Sequence, residues 1–153
     1  MREKAEQLRE IANDIETFKA RQMLIHINKI KQHGIRLSPY FHVHEFTSKD
    51  GAITVIIHKD LLDKMNTLRQ KVGLPIHITS GYRTPEHNLN VGGSPTSRHL
   101  DGMAADIWVN GMTPGQLALV AKEVGFTGIG VYSKKGFTHV DVREEPVEWR
   151  DDS

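Results

Sequence analysis

Nine histidines and no cysteine mean that any metal held by this 153-residue chain must sit on nitrogen and oxygen ligands. Zn2+ in a catalytic site typically takes three protein ligands from His, Asp or Glu and leaves a fourth position to water. His99 at the end of a Gly-, Ser- and Pro-rich loop, Asp106 seven residues later and His139 near the C-terminus form one such set. Nine histidines allow many such combinations, so spacing alone favours reading the three as a cap, a turn residue and a strand histidine. Arg83, after Gly81 and Tyr82, offers a guanidinium fork to a carboxylate or to a developing oxyanion. Ser97 could bond a substrate or hold its own loop. Asp141, two residues beyond His139, shares that histidine's face if both lie on a strand. It could then serve as a base, orient a ligating imidazole, or pair with Arg143 or a lysine.

These residues are far apart in the chain, so strands and turns must bring them together. Ile53 to Ile57 is a β-branched run, and Leu61, Leu62, Met65, Leu68 and Val72 form the apolar stripe of a helix that stops at Gly73. Pro75 to Thr79 reads as a strand with a sharp exit at Ser80 to Pro85, residues 89–98 as a loop, and Ala104 to Val109 as the next strand. Thr113, Pro114 and Gln116 make a capping box that starts a helix over 114–124 and ends it at Gly125. Ile129 to Tyr132 and Phe137 to Arg143 flank Ser133-Lys134-Lys135-Gly136 as a hairpin. Glu86 and His87 read as the start of a short helix, His42, His44 and His77 as loop and strand-face residues, and Trp108, Phe126 and Trp149 as core. The class is α+β, a small antiparallel sheet with helices packed on it. Upstream, Leu8, Ile11, Ala12, Ile15, Phe18, Leu24 and Ile27 recur at steps near three and four, which predicts one or two amphipathic helices over residues 2–31. These are either a docking arm or a packing element. Gly34, Ser38 and Pro39 make 35–50 a connecting loop, and the chain divides into N-terminal helices at 1–37 and a site-bearing domain at 38–153.

Ser97-Arg98-His99-Leu100-Asp101-Gly102-Met103-Ala104-Ala105-Asp106 resembles, at every fixed position, the Ser-x-His-x-x-Gly-x-Ala-x-Asp signature of the zinc D-Ala-D-Ala carboxypeptidase family. Ser80 to Asn88 with Val91-Gly92-Gly93 resembles the block before that signature, and Gly128 to Tyr132 with Phe137 to Arg143 resembles the closing segment that carries the second zinc histidine. The likeness covers about residues 38–149. It implies a hedgehog- and D,D-peptidase-like fold with zinc on the sheet, held by His99, Asp106 and His139. It also implies that Arg83 binds or polarises substrate, and that the substrate is a peptide bond in a peptidoglycan stem or cross-bridge, cut by a carboxypeptidase or an endopeptidase. Several relatives keep a catalytic Glu or Asp three residues before the second zinc histidine, and lysostaphin-like cousins a His two before it. Here Gly136 and Phe137 stand there, which leaves Asp141, then Glu86, His87 and Asp101, as candidates. The same departure keeps a second reading open, a non-catalytic zinc-containing binding module or phage particle component.

Lys and Arg number 20 against 19 Asp and Glu, and without a basic block nucleic acid is not an expected partner. The first residues are charged throughout, and no stretch approaches the ~20 apolar residues of a membrane span. The expectation is synthesis in the cytoplasm without a cleaved signal, and action on the cell wall by phage-type release or another signal-independent route. No pattern in the sequence specifies an oligomeric state.

Overall fold

The structure, a computed structural model, describes residues 3–9, 22–26 and 35–153. Its elements in chain order are helix α1 over 3–9, strands β1 (Gln22–His26) and β2 (Thr54–His58), helix α2 (Lys59–Val72), strand β3 (His77–Ser80) and helix α3 (Pro85–Asn90). Strand β4 (Ala104–Trp108), helix α4 (Pro114–Val124) and strands β5 (Gly128–Tyr132), β6 (Phe137–Asp141) and β7 (Val147–Asp151) follow. Single 3-10 turns lie at Val43–Phe46 and Arg98–Asp101. None of the described helices is long and apolar enough to cross a membrane.

The helix ends follow from local chemistry. Thr113 Oγ1 accepts from Gln116 N at 3.1 Å and Gln116 Oε1 accepts from Thr113 N at 2.9 Å, so two otherwise orphaned donors at the start of α4 are satisfied reciprocally. Gly73 closes α2 at φ +73°, a left-handed conformation that a β-carbon disfavours. Helix α2 buries Leu61, Leu62, Met65 and Leu68, and α4 buries Leu117, Ala118 and Ala121. The two helices pack together, and α4 lies over β5 and β6.

Five strands form the main sheet in the order β3-β4-β6-β5-β7. The first three pairings are antiparallel, and the expected hairpin is β5 with β6. Strand β7 is an addition to that expectation and pairs parallel with β5. Ile107, Ile129 and Val140 belong to the apolar core that α2 and α4 complete. Burying each such side chain stabilises the fold by about 1.5–3 kcal/mol. The segment expected as a loop at 35–50 also contributes to the core, with Phe41, Val43 and Phe46 all buried.

The N-terminal reading needs correction. Residues 22–26 are strand β1, antiparallel to β2 with Leu24 opposite Ile56, and do not continue a helix. An unpaired edge on β2 would leave backbone donors and acceptors without ladder partners, and that pairing outweighs local helical periodicity. The ladder therefore crosses the boundary drawn at residue 37. Every residue of α1 is exposed, Leu8 included. Ile11, Ala12, Ile15, Phe18 and Ile27 lie outside the described residues.

Strand β2 closes on the turn that carries His99. Gly102 ends that turn at φ +69°, its carbonyl accepts from His58 N at 2.9 Å, and a β-carbon on it would lie 2.2 Å from the Ile56 carbonyl oxygen. Both backbone strain and a collision with immovable backbone oppose any side chain there. Gly102→Ala is expected to cost about 3 kcal/mol, a fall in Tm of about 6–12 °C in thermal unfolding. An unchanged Tm would mean that β2 does not close on this turn.

Candidate metal centre

Pairing of β4 with β6 sets Asp106 directly opposite His139. The same row runs across the whole sheet, from Ser80 through Asp106, His139 and Gly130 to Trp149. His99 arrives from outside the sheet on the 3-10 turn, which Ser97 caps by accepting from His99 N at 3.3 Å. The His99 and His139 rings meet edge to face at 5.1 Å between centroids.

All three residues are buried, and one donor atom from each lies within 4.8 Å of the others. Asp106 Oδ1 is 3.0 Å from His139 Nδ1 and 3.3 Å from His99 Nε2. A tetrahedral ion with bonds of about 2.0–2.2 Å separates its ligands by roughly 3.4 Å, close to these distances. The outer ring nitrogens are occupied as ligation requires. His99 Nδ1 donates to the Gly81 carbonyl at 2.7 Å, and His139 Nε2 donates to Asp141 Oδ2 at 2.7 Å. Each hydrogen bond selects the tautomer whose inner lone pair faces Asp106. The set therefore suits a divalent ion of borderline hardness such as zinc, which the chain's lack of thiolates leaves to imidazole and carboxylate.

The electrostatics agree. Burial pushes the Asp106 carboxyl upward, but hydrogen bonds from His139 and then His99 outweigh it and hold the group well below the usual carboxylate range. Burial likewise disfavours a charged His139, yet Asp106 and then Asp141 raise its pKa on balance. The carboxylates at its two nitrogens favour the protonated ring, and a proton on Nδ1 would occupy the lone pair that a cation needs. Proton and metal compete for one lone pair.

Arg83 stands behind Asp106. Its Nη2 reaches Asp106 Oδ2 at 3.3 Å, Nη1 reaches Asn88 Oδ1 at 3.3 Å, and Nε reaches Ser80 Oγ at 3.1 Å. Gly93 permits this, because a β-carbon there would lie 2.0 Å from Asn88 Oδ1. Asp141 lies behind His139, fully buried, with neither oxygen open to solvent: Arg143 donates to it from Nε at 2.9 Å, from Nη2 at 2.6 Å and from its backbone N at 3.1 Å. Of the roles open to Asp141, this geometry has the form of a partner that orients a ligand and is tied to Arg143. As the base it is badly placed, because the carboxylate has no free lone pair facing the cleft. Gly128 leaves the space it occupies, since a β-carbon there would lie 2.1 Å from the carboxylate.

The centre opens into a cleft of about 670 Å³. Arg83, Ser97, His99, Asp106 and His139 line it, whereas Glu86, His87 and Asp101 do not. The periodicity reading missed Tyr132, Lys135, Trp149 and Asp151 on the opposite wall. Trp149, expected in the core, is half-buried there, 4.9 Å from the His139 ring, with its Nε1 donating to Tyr132 Oη at 2.9 Å. The alternation of Val147, Trp149 and Asp151 was the available signal. Trp108 is also no core residue, being exposed and stacked on His77 at 4.0 Å, while Phe126 is buried.

The sequence profile of the Peptidase M15 family matches residues 39–141, which hold the whole His99, Asp106 and His139 cluster together with Arg83 and Asp141. The chain belongs to the peptidase M15 family. Among curated M15-type relatives, the zinc D-Ala-D-Ala carboxypeptidase of Streptomyces albus G is 37% identical over 81 residues, which is 50% of this chain and 32% of that protein. The peptidoglycan L,D-endopeptidase MepK of Escherichia coli (strain K12) is 27% identical over 92 residues, 56% of this chain and 50% of that one. The matched stretch thus spans about a third of the first relative and half of the second. The L-Ala D-Glu endopeptidase ChiX of Serratia marcescens aligns in structure with a TM-score of 0.41 and 21% identity, over 57% of this chain and 80% of that one. Within this M15 chain, β7 with Trp149 and Asp151 falls beyond the profile match.

Proposed function

We propose that this M15 chain is a zinc peptidase that hydrolyses a peptide bond in the stem or cross-bridge of peptidoglycan. The observation that carries the reading is the convergence of His99, Asp106 and His139 at a cleft, with both imidazoles oriented by outer hydrogen bonds. The names of the relatives supply the substrate class.

His99 Nε2, His139 Nδ1 and an Asp106 oxygen would hold the ion. Zinc there would supply a Lewis acid for the scissile carbonyl and would lower the pKa of a water toward about 7. The protein's own groups do the positioning. Gly81 and Asp141 fix the two rings, and Arg83 holds the far oxygen of Asp106. Three of the five guanidinium N–H donors of Arg83 are used by Asp106, Asn88 and Ser80, leaving two for a substrate carbonyl oxygen as it gains charge. Trp149, Tyr132 and Phe137 place aromatic rings along the cleft, with Tyr132 stacked on Phe137.

Arg83→Lys is expected to keep zinc and fold while kcat/KM falls by roughly 10²-fold, because an ammonium cannot hold three acceptors and still face the carbonyl. Unchanged kcat/KM on a peptidoglycan fragment would confine Arg83 to holding Asp106 in place. Masses of muropeptides after incubation with the protein test the proposal itself. Loss of a terminal D-Ala marks carboxypeptidase action, and separation of cross-linked dimers marks endopeptidase action. An unaltered profile with zinc bound would favour the binding-module reading, which the lack of a carboxylate at Gly136 supports.

A further inference from the structure

Four cationic side chains line the cleft: Arg83, Arg98, Lys135 and Arg143. Three are committed to carboxylates. Arg83 is held by Asp106, Arg143 by Asp141, and Lys135 Nζ lies 3.7 Å from Asp151 Oδ2. Arg98 differs. It makes no ion pair among the described residues, and its Nε is buried without a hydrogen-bond partner there. The sealed Nε is out of a ligand's reach, but Arg98 lines the cleft with no carboxylate partner among the described residues, so its charge is the one left for an anion from outside the chain.

The backbone around Arg98 is fixed. Its carbonyl accepts from Met103 N at 3.1 Å, and Ser97 N before it donates to the Ser94 carbonyl at 2.9 Å. The next residue is His99, so the guanidinium stem starts one residue from the metal cluster. An acceptor bound there would be an anion, since a planar fork selects a carboxylate and the cleft's other cations are already neutralised.

We infer that Arg98 is the cleft's substrate-carboxylate anchor, a specificity-determining residue that takes a free carboxylate of the stem peptide while the scissile carbonyl lies at the metal cluster. This rests on the peptidase reading. It also moves the role of carboxylate fork away from Arg83, whose guanidinium is engaged by Asp106, Asn88 and Ser80.

The test uses zinc-loaded protein and the synthetic pentapeptide L-Ala-γ-D-Glu-L-Lys-D-Ala-D-Ala, with its two monoamides at the D-Glu α-carboxyl and at the C-terminus. Binding is read by stopped-flow tryptophan fluorescence before turnover accumulates, Trp149 lying in the same cleft. Wild type is expected to bind the free acid roughly tenfold or more tightly than one of the monoamides, which identifies the carboxylate held. Arg98→Gln should bring acid and amide to equal affinity, and Arg98→Lys should keep part of the preference. Both variants should hold zinc as wild type does. A preference that survives in Arg98→Gln, no preference in wild type, or loss of zinc from Arg98→Gln would overturn the assignment. The two readings fail separately. Hydrolysis without carboxylate preference removes Arg98 and leaves the peptidase, whereas preference without hydrolysis removes the peptidase and leaves Arg98 as a ligand anchor.

Discussion

His139→Ala is expected to leave the purified protein with almost no zinc, against about one ion per chain in wild type. The variant removes one of three donors and, with it, the group that links Asp106 to Asp141. Binding by a carboxylate and a single imidazole is far weaker than by the full set, because each added ligand is already positioned and adds affinity without a further ordering cost. The fold should survive, since Asp141 retains Arg143 and Asp106 retains Arg83 and His99. His99→Ala should behave the same way. Elemental analysis after gel filtration reads the outcome, and stoichiometric zinc in both variants would remove these histidines from the site.

Asp141→Asn separates the two roles that a carboxylate beside His139 could play. The side chain keeps its shape and loses its charge. A carboxylate that orients a ligating imidazole typically contributes 10–100-fold to metal affinity, so zinc should bind about that much more weakly while turnover at saturating zinc changes little. A general base would show the reverse, roughly a 10²-fold loss of turnover with zinc retained. The geometry favours the first outcome, because both Asp141 oxygens are engaged by His139 and Arg143 and the residue is sealed from solvent. The substitution should also cost about 2–3 kcal/mol in unfolding by denaturant, below the ~3–5 of a fully buried pair because Arg143 is partly exposed. Competition with a chromogenic chelator measures the affinity change directly.

The centre was legible where its signals are local. Small residues around His99 and Asp106 marked a turn running into a strand, the Thr113 box marked a helix start, and the Lys-Lys-Gly turn marked the hairpin that carries His139. Those patterns are written in neighbouring residues. What could not be read depends on partners distant in the chain. Leu24 shows a helical step locally but pairs with Ile56, thirty-two residues away. Alternation in Val147, Trp149 and Asp151 fits a strand, yet nothing local says that it joins β5 in parallel and turns Trp149 toward His139. Gly130 makes that possible, because a β-carbon there would lie 2.4 Å from the indole. The face of Asp141 was legible from strand alternation, whereas its depth was not. Arg143 and the space left by Gly128 decide that it sits behind the ligand and away from the cleft.

Returning zinc stepwise to chelated protein, and reading at each step the peptides released from purified peptidoglycan by mass spectrometry, tests the joint claim of metal centre and activity. The metal-free protein should release nothing, and release should rise with added zinc and level off at about one ion per chain. Hydrolysis that persists after chelation, or that stays absent at every zinc loading, would contradict the account.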